Sequence, residues 1–322
     1  VANFEEEKGW YDPRVEPYAP FPLAPAAAVL HYAQAVFDGL KAFRGVDGKV
    51  RLFRPQKHVE RLNNSARRMC IPPLDPDSAL RSLVTLVGIE KAWVPSTIGT
   101  SLYIRPTIIA AEPFLGVRPA HSYIYFVILS PVGAYYPEGM APVKILVVDR
   151  YVRAVEGGVG AAKTSGNYAA SLYASEEAKH QGFTQVLWLD GIHRKYIDEV
   201  GTMNIMVKIG DEVITPPLTG SILPGVTRDS ALTLMREWGL RVSERLVSMD
   251  EVAAAARKGT LREVWGTGTA AVISPVGELT YQGEKMVINQ GEVGPLTRKL
   301  YDAIVGIQYA QASDPYGWTV EV

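Results

Sequence analysis

Residues 131–142 read PVGAYYPEGMAP, with three prolines and two glycines in twelve positions, and no helix or strand sustains that composition. The break falls inside a chain of 322 residues, which is long for one compact domain, so two domains are expected. They are placed at residues 1–130 and 143–322, with 131–142 as the interdomain loop.

On either side of the break the pattern is mixed. Residues 50–53 and 144–149 read as strands, and SYIYFVILS (122–130) as a buried strand. Leu80, Leu83, Val84 and Val87 stripe a helix over 77–90, and Leu296, Leu300, Ile304 and Ile307 stripe one near the C-terminus. Helices are also expected over 167–180, stopped at Gly182, and over 227–238, stopped at Gly239. Ser248 and Glu251 form a Ser-x-x-Glu cap for another. Hairpins are expected around Asp190-Gly191 and Gly210-Asp211. Helices and hairpins without strict β-α-β alternation give an α+β class.

Charge and composition remove several functions. Lys plus Arg is 33 and Asp plus Glu is 34, so no basic excess exists to neutralise a nucleic-acid backbone. One cysteine and five scattered histidines supply neither a disulfide framework nor a metal site. No apolar run reaches membrane-spanning length, and the acidic start VANFEEEKGW does not read as a secretory signal.

The sharpest chemical feature is GGVGAAKTSGNY (157–168), where Lys163 sits among small residues. A lysine partly withdrawn from water loses preference for its charged form and becomes a nucleophile suited to a carbonyl. Composition alone favours an ordinary loop lysine. Gly157 to Thr164 also approaches a P-loop, but Ala162 stands where that loop needs glycine, and the preceding strand ends too early. Leu223-Pro224-Gly225-Val226-Thr227 turns into a helix whose first N–H groups suit a phosphate, and GTGTAA (266–271) offers further donors. Both are ordinary turns on another reading. Glu199 in DEVGTMN offers a carboxylate to a pyridine nitrogen, and Arg61 on a basic helix offers a fork to a phosphate. Tyr103 and Arg105 alternate with Leu102 and Ile104, so they share one face of a strand.

An activated-lysine candidate and two phosphate cradles together imply a phosphorylated carbonyl cofactor. In that combination the chain resembles the fold-type IV aminotransferases dependent on pyridoxal 5'-phosphate, and within them the branched-chain amino acid aminotransferases. The matching segments include LHYAQAVFDGLKAF, RLFRPQKHVERLNNSA, GTSLYIRP, EPFLGV, GAAKTSGNYAASL, DEVGTMN, GSILPGVTR, EVWGTGTAAVISPVG and GIQYAQASDPYGW, from about residue 9 to 319. The resemblance implies a smaller N-terminal α/β domain, a larger C-terminal domain bearing the lysine, and the cofactor at the domain interface. It implies that Lys163 carries the cofactor and shuttles a proton, that Glu199 pairs with the ring nitrogen and Tyr168 with the phenolic oxygen. Arg61, Val226, Thr227 and Thr269 would hold the phosphate, with Leu223 against the ring and Thr202 in the network. Tyr32, Phe37, Tyr103, Arg105, Tyr135 and Ala270 would line the substrate pocket, and Leu115 and Val117, along with Tyr32, would enter from the other subunit of a cytoplasmic homodimer. The implied reaction passes an amine from leucine, isoleucine or valine to 2-oxoglutarate, giving branched 2-oxo acids and glutamate in two half-reactions.

Two departures stand out. Ala271 and Ser274 occupy positions where some members carry a redox-active Cys-x-x-Cys, so no such switch operates. Asp38 replaces glutamate in the usual FEGLKA, a change expected to have little effect. Two other readings remain at this level: a different fold-type IV enzyme, such as a D-amino acid aminotransferase or an aminodeoxychorismate lyase, and a non-catalytic phosphate-binding module.

Overall fold

The computed structural model describes residues 1–133 and 140–322. Tyr135 falls outside the described residues. The chain forms two compact units, the first made of Val1–Gly133, Ala162–Gly166 and Gln308–Val322. The lysine segment and the C-terminal tail thus belong with the first unit, although both lie beyond the proline-rich break in sequence. Each is tied there by backbone pairing: Val36 bridges Thr164, and the tail adds a strand.

In the first unit the strands are β1 (Ala2–Glu5), β2 (Gly9–Tyr11), β3 (Ala35–Phe37), β4 (Leu40–Arg44), β5 (Val50–Phe53), β6 (Ser101–Ala110) and β7 (Ser122–Val132). The C-terminal strand, β17 (Thr319–Glu321), closes the edge in the order β17-β5-β4-β6-β7-β1-β2, with β3 also on β6. Every pairing in this sheet is antiparallel, so the unit expected as α/β is built from hairpin-like neighbours with its helices layered on. Those helices are α1 (Ala28–Tyr32), α2 (Pro55–Arg68) and α3 (Pro76–Ile89). Asp75 caps α3 by accepting from the Ser78 N–H at 2.9 Å, with proline at the first helical position. Leu62 and Leu83 from the helices and Leu40, Leu52, Leu102 and Ile104 from the strands form the core.

Two expectations change here. β7 runs to Val132, two residues into the proline-rich stretch. There β1, which pairs with Ser122 to Tyr125, no longer flanks it, so the missing N–H of Pro131 leaves no ladder bond unmade. The SYIYFVILS strand is also only half buried: Tyr123 and Tyr125 are inside, whereas Ile128 is 41% exposed. Its second half lies opposite Tyr103 and Arg105 on a face that the core does not cover.

The second unit carries β8 (Val143–Val148), β9 (Gln185–Leu189), β10 (Ile197–Val200), β11 (Met203–Ile209), β12 (Glu212–Thr215), β13 (Arg241–Glu244), β14 (Leu261–Gly268), β15 (Val272–Tyr281) and β16 (Glu284–Val287). The order β10-β9-β8-β15-β14-β11 closes on itself because β11 also pairs with β10, making a six-stranded barrel. Ile145, Leu187, Val200, Ile205 and Val264 pack in its core cluster. The helices are α4 (Ser165–His180), α5 (Val226–Glu237), α6 (Met249–Arg257) and α7 (Pro295–Gln308). Both expected hairpins form, and the first is held by Asp190, whose carboxylate accepts four backbone N–H groups from Ile192, His193, Lys195 and Tyr196. Ser248 caps α6, and the striped residues of α7 are all buried. Among the described residues no helix is long and apolar enough to cross a membrane.

Candidate active site

In the first unit the candidate chemistry gathers around a break in one strand edge. β3 pairs with β6 up to Thr107, and β4 resumes at Ile104. Between them stand Asp38 and Gly39, opposite Arg105 and Pro106. Pro106 has no N–H to continue the ladder, but its carbonyl accepts from the Asp38 N–H at 2.9 Å. A Cβ at Gly39 would run into the Tyr103 phenol and displace it.

The Asp38 side chain is fully buried and grips α2. Arg61 donates to it twice, Nε to Oδ2 at 2.8 Å and Nη2 to Oδ1 at 2.8 Å. His58, one turn earlier, meets Oδ1 through Nδ1 at 2.7 Å. Burial alone would raise the Asp38 pKa, but the charges and hydrogen bonds of Arg61 and His58 outweigh it and hold the carboxyl well below the usual range. Burial lowers the pKa of His58, against the pull of Asp38 and with the push of Arg61 and Lys163. The imidazole is therefore neutral, with its proton on Nδ1 facing the carboxylate. The shorter carboxylate is the anchor of the one buried arginine among Arg61, Arg67 and Arg68.

Ser65, one turn beyond Arg61 on α2, links this anchor to the lysine. Its Oγ accepts from the Lys163 N–H at 2.9 Å, while the Lys163 carbonyl accepts from Phe37 N–H at 3.0 Å. Thr164 Oγ1 adds a bond to the Ala35 carbonyl at 2.7 Å. The backbone of Lys163 is thus clamped on both sides, and its Nζ lies 5.1 Å from the centre of the Phe37 ring. The Arg105 guanidinium also lies over that ring, 4.7 Å from its centre, and donates to the Tyr103 hydroxyl at 2.8 Å. Among the described residues Arg105 Nε is buried without a hydrogen-bond partner, which suits an incoming carboxylate. The segment is not a P-loop. No strand runs into Gly157, since β8 ends at Val148, and the Lys163 N–H is spent on Ser65.

Tyr32, Leu115 and Val117 are not part of that cluster. They are 38%, 66% and 88% exposed. They do share a surface, because the α1 segment and the EPFLGV loop are joined by bonds from Ala28 N–H to the Glu112 carbonyl and from Phe114 N–H to the Ala26 carbonyl, both 3.0 Å. Two bonds from the Arg118 guanidinium to the Glu112 carboxylate close the loop.

The second unit holds the carboxylate. Glu199 on β10 lies directly across from Asn204 on β11, which in turn lies across from Thr267 on β14. Arg153 Nε meets Glu199 Oε2 at 2.7 Å, and Asn204 Nδ2 and Leu223 N–H donate to Oε1 at 3.1 and 3.2 Å. Arg153 also donates to the Ser221 carbonyl, so one guanidinium ties the glutamate to the turn leading into α5. That turn ends on Gly225, the N-cap of α5, where any Cβ would strike the Asn204 carboxamide. Its N-cap is a glycine with no side chain to offer, and the leading Val226 and Thr227 sit at the positive end of the helix dipole. Thr267 Oγ1 is buried without a partner among the described residues. An anchored carboxylate, a helix start with a glycine N-cap and a hydroxyl without a partner among the described residues together fit a phosphate-bearing aromatic cofactor.

Thr269 and Ala270 lie half-buried just beyond β14, Tyr168 half-buried in the first turns of α4, and Thr202 exposed in the β10–β11 turn. Sequence reasoning missed Asp38, His58, Ser65, Arg153 and Asn204. Only Asp38 had left a signal, as a departure from a familiar motif. Among the described residues no cluster could hold a metal ion.

Asp198, beside Glu199, is nearly inaccessible. Burial first, and the neighbouring Glu199 charge second, push its pKa up to about 7, with Ser221 and Arg153 opposing. A raised carboxyl pKa means the folded protein holds a proton between about pH 4 and pH 7 that the unfolded chain has lost. This stabilisation is full at low pH and fades as pH rises through 7. An Asp198→Asn variant should therefore lose on the order of 2 kcal/mol less than the parent between about pH 5 and pH 8 in denaturant titrations. Identical pH profiles would show that Asp198 titrates normally.

The Amino-transferase class IV family model matches residues 35–279. The chain is 57% identical to branched-chain-amino-acid aminotransferase 2 of Bacillus subtilis (strain 168) over 322 residues, covering 100% of this chain and 89% of that one. Among solved structures, it superposes on the Escherichia coli branched-chain amino acid aminotransferase with a TM-score of 0.80 at 28% identity, covering 92% of this chain and 93% of that one. The branched-chain aminotransferase of the thermophilic archaeon Thermoproteus uzoniensis, solved with norvaline, shares the fold with a TM-score of 0.81 at 24% identity, over 100% and 99% of the two chains. A further branched-chain amino acid aminotransferase of this fold, with a TM-score of 0.80 at 24% identity over 99% and 97% of the two chains, was solved with pyridoxamine 5'-phosphate.

Proposed function

The chain belongs to the class IV aminotransferases, and from that membership we propose that it is a branched-chain amino acid aminotransferase using pyridoxal 5'-phosphate. Its substrates on this reading are leucine, isoleucine and valine with 2-oxoglutarate. The observation that carries the reading is the clamp on Lys163, which fixes the backbone of a lysine at both its N–H and its carbonyl and sets the amine over an aromatic ring. When bound, the cofactor supplies an electron sink that makes the substrate Cα–H acidic enough to remove.

The protein groups divide the remaining work. Lys163 holds the cofactor and moves the proton at the substrate Cα. Arg61, the N–H groups of Val226 and Thr227, and Thr269 bind phosphate. Glu199, salt-bridged to Arg153, keeps a negative charge for the ring nitrogen, Tyr168 serves the phenolic oxygen, Leu223 packs against the ring, and Thr202 joins the network. Phe37 supplies an apolar wall for an aliphatic side chain, with Ala270 and Tyr135 assigned to the same pocket. Tyr103 and Arg105 offer the hydroxyl and guanidinium that glutamate needs in the reverse half-reaction. An apolar slot discriminates weakly among methyl patterns, so all three branched substrates react.

The reading includes a cytoplasmic homodimer. Its support is the surface shared by Tyr32, Leu115 and Val117, three large side chains that a second copy would cover. The test of the whole assignment is spectroscopic. The protein reconstituted with pyridoxal phosphate should show a visible band that bleaches on adding leucine without any keto acid. Bleaching by D-alanine and not by leucine would transfer the chain to a D-amino acid enzyme of the same family.

A further inference from the structure

We propose that Asp38 is a positioning residue for cofactor binding, holding Arg61 in the orientation from which its guanidinium meets phosphate. The inference rests on the functional reading above and adds to it a residue that touches neither cofactor nor substrate.

The Asp38 carboxylate is fixed at both oxygens. Oδ1 accepts from Gly39 N–H at 2.7 Å, from His58 Nδ1 at 2.7 Å and from Arg61 Nη2 at 2.8 Å, and Oδ2 accepts from Arg61 Nε at 2.8 Å. Its own backbone N–H is tied to the Pro106 carbonyl. The two parallel bonds to Arg61 use the Nε–Nη2 edge, so they fix the plane of the guanidinium as well as its place. Its opposite edge is thereby aimed.

The choice of partners argues for aim over stability. A buried ion pair is often no more stable than apolar groups of the same volume, so its presence alone needs another reason. His58 contributes a neutral donor and no second cation, which leaves Arg61 as the charge an anion meets at this point of α2. One turn along the same helix, Ser65 holds the Lys163 N–H. Asp38 and Ser65 therefore index a phosphate-binding group and the lysine to one helix, at a spacing set by the helix itself.

The experiment titrates the full-length protein with pyridoxal phosphate and, separately, with pyridoxal, which lacks the phosphate. Asp38→Asn should weaken pyridoxal phosphate by about 30-fold or more and change pyridoxal by less than about twofold, because only the phosphate contact is misaimed. An equal loss for both ligands would overturn the inference and leave Asp38 a structural residue. Asp38→Asn leaves Arg61 buried without its partner and is the variant at risk of not folding. The double variant Asp38→Asn with Arg61→Met removes both charges and is compared with Arg61→Met alone. If Asp38 acts through Arg61, the two should bind pyridoxal phosphate within about threefold of each other, since coupled residues are non-additive. A further loss in the double variant would overturn the inference. Failure of the parent protein to bind either ligand would overturn the functional reading itself, which separates the two.

Discussion

Lys163→Ala is expected to lower transamination between leucine and 2-oxoglutarate by about four orders of magnitude, because one amine serves as both cofactor anchor and proton carrier. The same change should leave the fold intact. Two bonds that seat this residue come from its backbone, to Ser65 Oγ and from Phe37 N–H, and alanine keeps both. What disappears is the side chain over the Phe37 ring. Turnover measured alongside thermal unfolding separates the two properties. A variant retaining even a tenth of the parent rate would remove Lys163 from the chemistry, whereas a variant that fails to fold would show that the side chain carries packing the backbone does not.

Glu199→Gln is expected to act on turnover and stability together, and for different reasons. Loss of the negative charge facing the ring nitrogen should cost about 100-fold or more in rate, as removal of a preorganised electrostatic partner commonly does. Loss of the salt bridge strands the Arg153 guanidinium, which is buried with the glutamate, and breaking such a pair costs about 3 kcal/mol. Adding Arg153→Met to Glu199→Gln should restore much of the stability without restoring the rate. Recovery of both together would mean that Glu199 matters only as the partner of Arg153. Recovery of neither would mean that Arg153 has a separate structural duty through Ser221.

Much of this was written locally. The helical stripe of Leu296, Leu300, Ile304 and Ile307 needs only the helical period, and all four are buried. The Ser248 cap and the Asp190 turn depend on residues within six positions of each other, and both form. Tyr103 and Arg105 share a face because strand side chains alternate, and the arginine reaches the phenol. The lysine, the carboxylate and the helix start with its glycine N-cap were each visible as short motifs. The strand SYIYFVILS was misjudged for the opposite reason: apolar composition cannot tell a core face from one that the core leaves uncovered.

The sequence by itself determined which residues bear chemistry and which short elements carry them, because capping, turn formation and side-chain alternation are decided within a few residues. Only the tertiary structure decided what holds those residues in place. Asp38 and Arg61 stand 23 positions apart, and Lys163 and Ser65 stand 98 apart. Arg153 reaches Glu199 from a loop with no motif of its own. Which donor finds which carboxylate follows from strand order, from the gap that Pro106 opens between β3 and β4, and from the closing of the barrel between β10 and β11. Those are properties of chain packing, where burial forces every charge to find a partner, and no local propensity specifies which partner that will be.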